Sequence, residues 1–106
     1  MVTFAQIQEA CQRIADKFQP EKIILFGSYA YGTPNQDSDV DLLVIKSFQG
    51  RPVRLAAEIL IQIDVPFPLD VIVRTPGKIR ERIEMGDCFI KEVVTQGKVI
   101  YEAAYV

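Results

Sequence analysis

Short apolar runs separated by helical patterns limit the folds that this chain can adopt. Each run is five to seven residues long and rich in β-branched residues, which is typical of strands covered by other elements. The runs are KIILF (22–26), VDLLVIK (40–46), LDVIV (69–73) and KVIYE (98–102). We therefore expect an α/β (α+β) fold, with a mixed sheet of about four strands flanked by about four helices.

Four other segments have apolar residues at three- and four-residue steps, which predicts amphipathic helices. They are 4–18, 52–63, Pro76 to Gly86, and the stretch from Asp87 to Gly97 with Phe89, Ile90, Val93 and Val94 inward. Thr3 and Gln6 have the spacing of a capping box before the first helix, and Thr75 and Asp87 can cap the last two. The apolar stripe of 52–63, with Leu55, Ala56, Ile59, Leu60 and Ile63, is interpreted as core, and as a partner surface only if part of it is exposed.

Composition excludes several kinds of chemistry. The 106 residues include no histidine, which removes imidazole bases and Ser-His-Asp or Cys-His nucleophiles. A net charge of −2 lacks the basic footprint of a nucleic-acid binder, so no direct nucleic-acid partner is expected. No apolar run is long enough to span a membrane. Cys11 and Cys88 lie in apolar helical patterns without CxxC spacing, which favours reduced thiols in a core and a cytoplasmic location.

Three carboxylates are candidate metal ligands. Asp39 and Asp41 stand two residues apart at the start of the second predicted strand, so both lie on one face. Neighbouring like charges require a cation, and an oxygen-only ligand set favours Mg²⁺ or Mn²⁺ over zinc. Asp70 offers a third carboxylate on the next strand.

A phosphate site is predicted beside these carboxylates. Gly27 and Ser28 follow the first strand directly, where backbone N–H groups and a hydroxyl can contact an anion. Arg74 shares a strand face with Asp70, so it is a further candidate for a phosphate contact. A phosphate cradle opposite a metal site held by carboxylates suits phosphoryl or nucleotidyl transfer.

These motifs resemble the DNA polymerase β-like nucleotidyltransferases. Gly27 and Ser28, ten intervening residues, and then Asp39 and Asp41 match the GS-x10-DxD signature, with Asp70 as the third carboxylate. In length and element order the chain looks most like the minimal nucleotidyltransferase (MNT) antitoxins of HEPN/MNT toxin–antitoxin systems. We therefore expect residues 1–106 to form one minimal nucleotidyltransferase domain.

The resemblance implies a mechanism and a partner. Two Mg²⁺ ions would be bound by Asp39, Asp41 and Asp70, and Gly27 and Ser28 would hold the triphosphate of ATP. Asp70 would also help to deprotonate the attacking hydroxyl. In the MNT antitoxins that hydroxyl belongs to a tyrosine of the HEPN ribonuclease toxin, so AMP transfer silences the toxin.

Two alternatives stay open at this point. Many MNT antitoxins read GSYARG, whereas this chain has Tyr31 in place of the arginine. A non-catalytic antitoxin that neutralises its toxin by binding is therefore one alternative. The other is a free-standing nucleotidyltransferase that acts on a small hydroxylated substrate. Homo-oligomers and hetero-oligomers with the toxin are both compatible with the sequence.

Overall fold

Residues 1–104, the part of the chain that this computed structural model describes, contain four strands and five helices. The strands are β1 (Lys22–Phe26), β2 (Val40–Ile45), β3 (Leu69–Arg74) and β4 (Lys98–Glu102). The helices are α1 (Phe4–Phe18), α2 (Ser28–Tyr31), α3 (Pro52–Ile63), α4 (Pro76–Glu84) and α5 (Cys88–Gln96). The predicted fold class is confirmed. The fifth helix, α2, is a single turn within the stretch after the first strand.

The sheet is mixed, with strand order β3-β2-β1-β4. β1 pairs antiparallel with β2 and β4, and β2 pairs parallel with β3. A parallel pair needs a long crossover, and α3 supplies it between β2 and β3. As a consequence, the beginnings of β2 and β3 lie side by side at one end of the sheet, next to the end of β1.

Both faces of the sheet are covered, which explains the continuous apolar runs of the inner strands. On one face, Leu42 and Val44 of β2 join a core with α1 and α3. On the other face, Leu43 and Ile45 join a second core with α4 and α5. Because side chains alternate along a strand, Asp41 lies on the α4–α5 face.

Side-chain caps start three of the helices where the sequence predicts them. Thr3 and Gln6 form a full capping box at α1. Thr75 accepts a hydrogen bond from the Lys78 N–H at α4, and Asp87 accepts one from Ile90 at α5. The salt bridge from Arg82 and the backbone N–H donors hold the pKa of Asp87 below its ordinary value, with the Ile90 N–H as the largest cause.

The prediction that Phe89 and Cys88 of α5 lie in the core is wrong. Phe89 is 47% exposed, although its ring packs edge to face on Phe26 with centroids 5.6 Å apart. Cys88 is also exposed, so only Cys11 is a core thiol, and burial raises its pKa to about 12. The physical reason is the cap at Asp87, which places both residues in the first turn, ahead of the buried Ile90. No helix within residues 1–104 has the length and apolarity needed to cross a membrane.

Candidate active site

Asp41 and Asp70 occupy paired positions on neighbouring strands. In the parallel register of β2 and β3, Asp41 is opposite Asp70, and on its other side Asp41 is opposite Phe26 of β1. Adjacent strands are about 4.8 Å apart, and the shared register puts both carboxylates on the α4–α5 face. Asp70 is exposed and Asp41 is half-buried. The pair therefore lies at the end of the sheet, with Asp70 at the protein surface.

Asp39 lies one residue before β2, at the end of an ordered turn. The turn is closed by a hydrogen bond from the Ser38 N–H to the Asn35 carbonyl, 3.1 Å long. The Asn35 side chain also accepts from the Asp37 N–H at 2.8 Å. These hydrogen bonds fix the backbone just before β2. Asp39 can therefore follow a turn and still lie next to the Asp41–Asp70 pair.

The three carboxylates influence each other electrostatically. The pKa of Asp41 is raised from 3.8 to about 6, first by burial and then by the negative charges of Asp70 and Asp39. Burial and like charges both disfavour the ionised form. A cation bound among these groups would remove that cost.

Gly27 is required by the position of Asp41. The backbone of Gly27 has φ +77°, and a Cβ atom added there would collide with the carboxylate of Asp41. Only glycine adopts this backbone conformation readily and also lacks the side-chain atom that would overlap the carboxylate of Asp41. At the predicted site, the residue after β1 is therefore in close contact with β2, the strand that carries the second aspartate of the DxD motif.

The α2 turn begins directly after Gly27. The N–H groups of Ala30 and Tyr31 donate to the Gly27 carbonyl at 3.0 and 3.1 Å, and Gly32 donates to Ser28 at 3.1 Å. The first N–H groups of such a turn have no acceptor within the turn. Ser28 therefore presents a hydroxyl and a backbone N–H next to the carboxylates, as the sequence predicts for a phosphate contact.

The carboxylates of this site suit a magnesium ion that is coordinated partly by the protein and partly by a bound substrate. Among residues 1–104, no three acidic, histidine or cysteine side chains converge closely enough to enclose an ion by themselves. Mg²⁺ in nucleotide sites is bound by one or two carboxylates together with water and phosphate oxygens. A pair of neighbouring aspartates with a third close by satisfies that requirement.

Arg74 lies at the opposite end of β3 from Asp70. It is opposite Ile45, and four residues along a strand separate it from Asp70 by about 13 Å. Its guanidinium donates to the Val73 carbonyl at 2.7 Å, along the outer edge of the sheet. The structure therefore brings together Gly27, Ser28, Asp39, Asp41 and Asp70, and it does not place Arg74 with them.

Phe89 is a neighbour of the site that sequence reasoning missed. Its half-exposed ring packs against Phe26, the residue opposite Asp41, and lines a groove together with Arg74. Helical periodicity placed it in the core. Its position at the start of a capped helix was the available signal, because residues of the first turn are often only partly covered.

Comparison with known proteins agrees with this geometry. Residues 7–101 match the family described as "Nucleotidyltransferase domain". A Methanocaldococcus jannaschii protein named "putative protein adenylyltransferase" is 29% identical over 98 residues, which cover 90% of this chain and 94% of that protein. A second M. jannaschii protein with the same description is 38% identical over 48 residues, or 42% of this chain and 48% of that protein.

Solved structures show the same fold. A "putative nucleotidyltransferase" from Sulfolobus solfataricus has a TM-score of 0.64 at 20% identity, over 92% of this chain and 78% of that chain. A toxin–antitoxin structure with AMP-PNP has a TM-score of 0.58 at 23% identity, over 92% and 75% of the two chains. The toxin–antitoxin MntA-HepT has a TM-score of 0.54 at 18% identity, over 97% and 75%.

The family match covers β1, β2, β3 and all but the last residue of β4, together with every predicted carboxylate and glycine of the site. The paired aspartates, the glycine that makes room for one of them and the turn that follows are all inside it. This chain belongs to the nucleotidyltransferase domain family.

Proposed function

We propose that this protein transfers AMP from ATP to a hydroxyl group of a partner protein. The observation that carries the proposal is the Asp41–Asp70 pair, which lies in register beside Gly27 and the α2 turn. Similarity to the M. jannaschii proteins named as protein adenylyltransferases supports AMP as the transferred group and a protein as the acceptor.

Each residue of the site has a role in the proposed reaction. Asp39, Asp41 and Asp70 would hold Mg²⁺, and Ser28 with the Gly27 backbone would bind the phosphates of ATP. Bound Mg²⁺ supplies charge stabilisation at the phosphate oxygens. Asp70, which is exposed, would accept a proton from the attacking hydroxyl as its oxygen bonds to the α-phosphorus and pyrophosphate leaves. Its position on the outermost strand leaves room for a large acceptor on that side.

We take the acceptor to be a tyrosine of an HEPN-type toxin, so that the protein acts as an antitoxin. Likeness in fold to the MntA-HepT structures supports a toxin as the partner. The openness of the site also supports a macromolecular acceptor, because Asp39 and Asp70 are both exposed on the protein surface. A small substrate would need walls that these residues do not provide.

Intact-mass spectrometry tests this function directly. An HEPN-type toxin proposed as the partner is incubated with this chain, ATP and Mg²⁺, and the expected result is a mass gain of one or more AMP units. The Asp39→Asn, Asp41→Asn double variant should give no gain. Asp37→Asn is a matched control in the same turn, outside the paired strand positions, and should retain full transfer.

Neutralisation by binding alone is the second candidate. Its supporting observation is Tyr31, which stands where many MNT antitoxins have an arginine. In that case the toxin would be inhibited with unchanged mass, and the double variant would inhibit it equally well. Transfer to a tyrosine that depends on both aspartates would reject this candidate.

A further inference from the structure

Helix α3 is apolar on two sides, and only one of them is used within the chain. Ala56, Ile59 and Ile63 are buried against the sheet. A second set of apolar side chains faces solvent, and we call it the α3 outer face. It consists of Val53 (75% exposed), Ala57 (exposed), Leu60 (37%) and Ile61 (77%). A helix that is apolar over most of its circumference is normally buried on most of its circumference.

The α3 outer face lies beside the free edge of the sheet. A groove of about 380 Å³ runs between the start of α3 and β3, with Val53 and Ala56 on one wall and Val71 to Arg74 on the other. The strand edge itself is closed, because the Arg74 guanidinium caps the Val73 carbonyl and Val73 is only 1% exposed. Addition of a strand from a partner is therefore disfavoured here, and the helix face is the available surface.

The geometry points to a second copy of this chain as the occupant, with the two α3 helices packed antiparallel about a two-fold axis at Ala57. Val53 and Ile61 are each four residues from Ala57, so Val53 of one copy meets Ile61 of the other. The small Ala57 side chain at the centre allows the helix axes to approach to about 8–10 Å. An isologous contact requires such a self-complementary pattern.

Charges along the rim of this face fit the same arrangement. Arg54 and Glu58 lie one turn apart beside Ile61, and within residues 1–104 neither is part of an ion pair. In the antiparallel arrangement, Arg54 of one copy lies within about one turn of Glu58 of the other, and the symmetry makes this contact twice. Opposite charges therefore face each other on both sides of the two-fold axis. This self-complementary charge pattern favours a second copy of the chain over an unrelated protein.

The contact is small, because one helix supplies most of it. A helix of 12 residues is about 18 Å long, and two such faces with the adjoining grooves form an interface at the small end of specific contacts. We expect a dimer with a dissociation constant of roughly 1–100 μM. This inference concerns the chain alone and does not rest on the proposed transfer activity.

Sedimentation equilibrium over roughly 1–500 μM, a range chosen to bracket that constant, tests the dimer. The wild-type chain should approach twice its monomer mass of 12.0 kDa. Ile61→Asp should stay monomeric, while Met85→Asp, at a similarly exposed apolar side chain (68%) just after the last residue of α4, should dimerise as the wild type does. Arg54→Glu and Glu58→Arg should each weaken dimerisation at least several-fold, and the double swap should restore it.

Cross-linking tests the axis independently of these charged variants. In a Cys88→Ser background, Ala57→Cys should form a disulfide-linked dimer under mild oxidation, whereas Gln8→Cys on the exposed side of α1 should not. A wild-type chain that is monomeric over the whole range overturns the proposal. A dimer that Ile61→Asp leaves intact overturns it as well. The proposal is also overturned if the chain is monomeric and Ile61→Asp abolishes its binding to the toxin, because the α3 outer face would then be the toxin-binding surface.

Discussion

The carboxylate of Asp41 occupies the space that a side chain at Gly27 would fill. The two residues come from different strands, β1 and β2, and meet at the end of the sheet where Asp70 completes the pair. A glycine in the GS motif is therefore explained by sterics at the DxD aspartate, in addition to any contact that its backbone makes with phosphate.

Replacement of Gly27 by alanine should damage both stability and transfer. The new Cβ must displace Asp41, and a backbone at φ +77° and ψ −157°, a region essentially restricted to glycine, adds strain of about 1–3 kcal/mol. Urea unfolding and the AMP-transfer assay measure the two effects. Gly86→Ala is the matched control, since Gly86 has φ +85° but nothing lies within 4 Å of an added Cβ. Equal losses in both variants would contradict the steric relationship.

Asp41→Asn should stabilise the metal-free protein while removing its response to Mg²⁺. The substitution keeps the shape of the side chain and removes a charge that burial, Asp70 and Asp39 disfavour. After allowance for solvent screening we expect a gain of about 1 kcal/mol, or a melting temperature several degrees higher. Thermal melts with and without Mg²⁺ measure it, with Asp37→Asn as the control that should change neither.

Stability should depend on pH through Asp41. Its pKa is about 6 in the folded chain and 3.8 without the fold, so the folded state binds the proton more tightly. The cost of ionising Asp41 therefore appears as pH rises from about 4 to about 6 and is complete above that range. The difference in melting temperature between Asp41→Asn and wild type should be small at pH 4 and largest above pH 6. A constant difference across this range would show that Asp41 is not perturbed.

Arg74→Ala separates two roles for that residue. The guanidinium caps the Val73 carbonyl about 13 Å along β3 from Asp70. We expect unfolding free energy to fall by about 1 kcal/mol, with the KM for ATP unchanged within about two-fold. Urea titration and transfer kinetics measure the two quantities. A large rise in KM at normal stability would instead support the predicted phosphate contact.

Much of the fold could be predicted from local patterns. The strand runs, the capping residues Thr3, Thr75 and Asp87, and the helix at 52–63 all appear in the structure where the sequence indicates them. These features depend on neighbours within a few residues, because capping bonds and strand or helix periodicity are local. The motif spacing was also sufficient to predict the carboxylate and glycine residues that the structure brings together.

What the sequence determined by itself was the set of elements and the residues able to hold a metal and a phosphate. Only the tertiary structure decided which of them meet. Asp41 and Asp70 form a pair because β2 and β3 are parallel and in register, while Arg74 is placed at the far end of the same strand. Likewise, the exposure of Phe89 and of the α3 outer face depends on which elements cover each helix. Periodicity shows that a residue is apolar at a helical position, but its burial is set by contacts between segments distant in sequence.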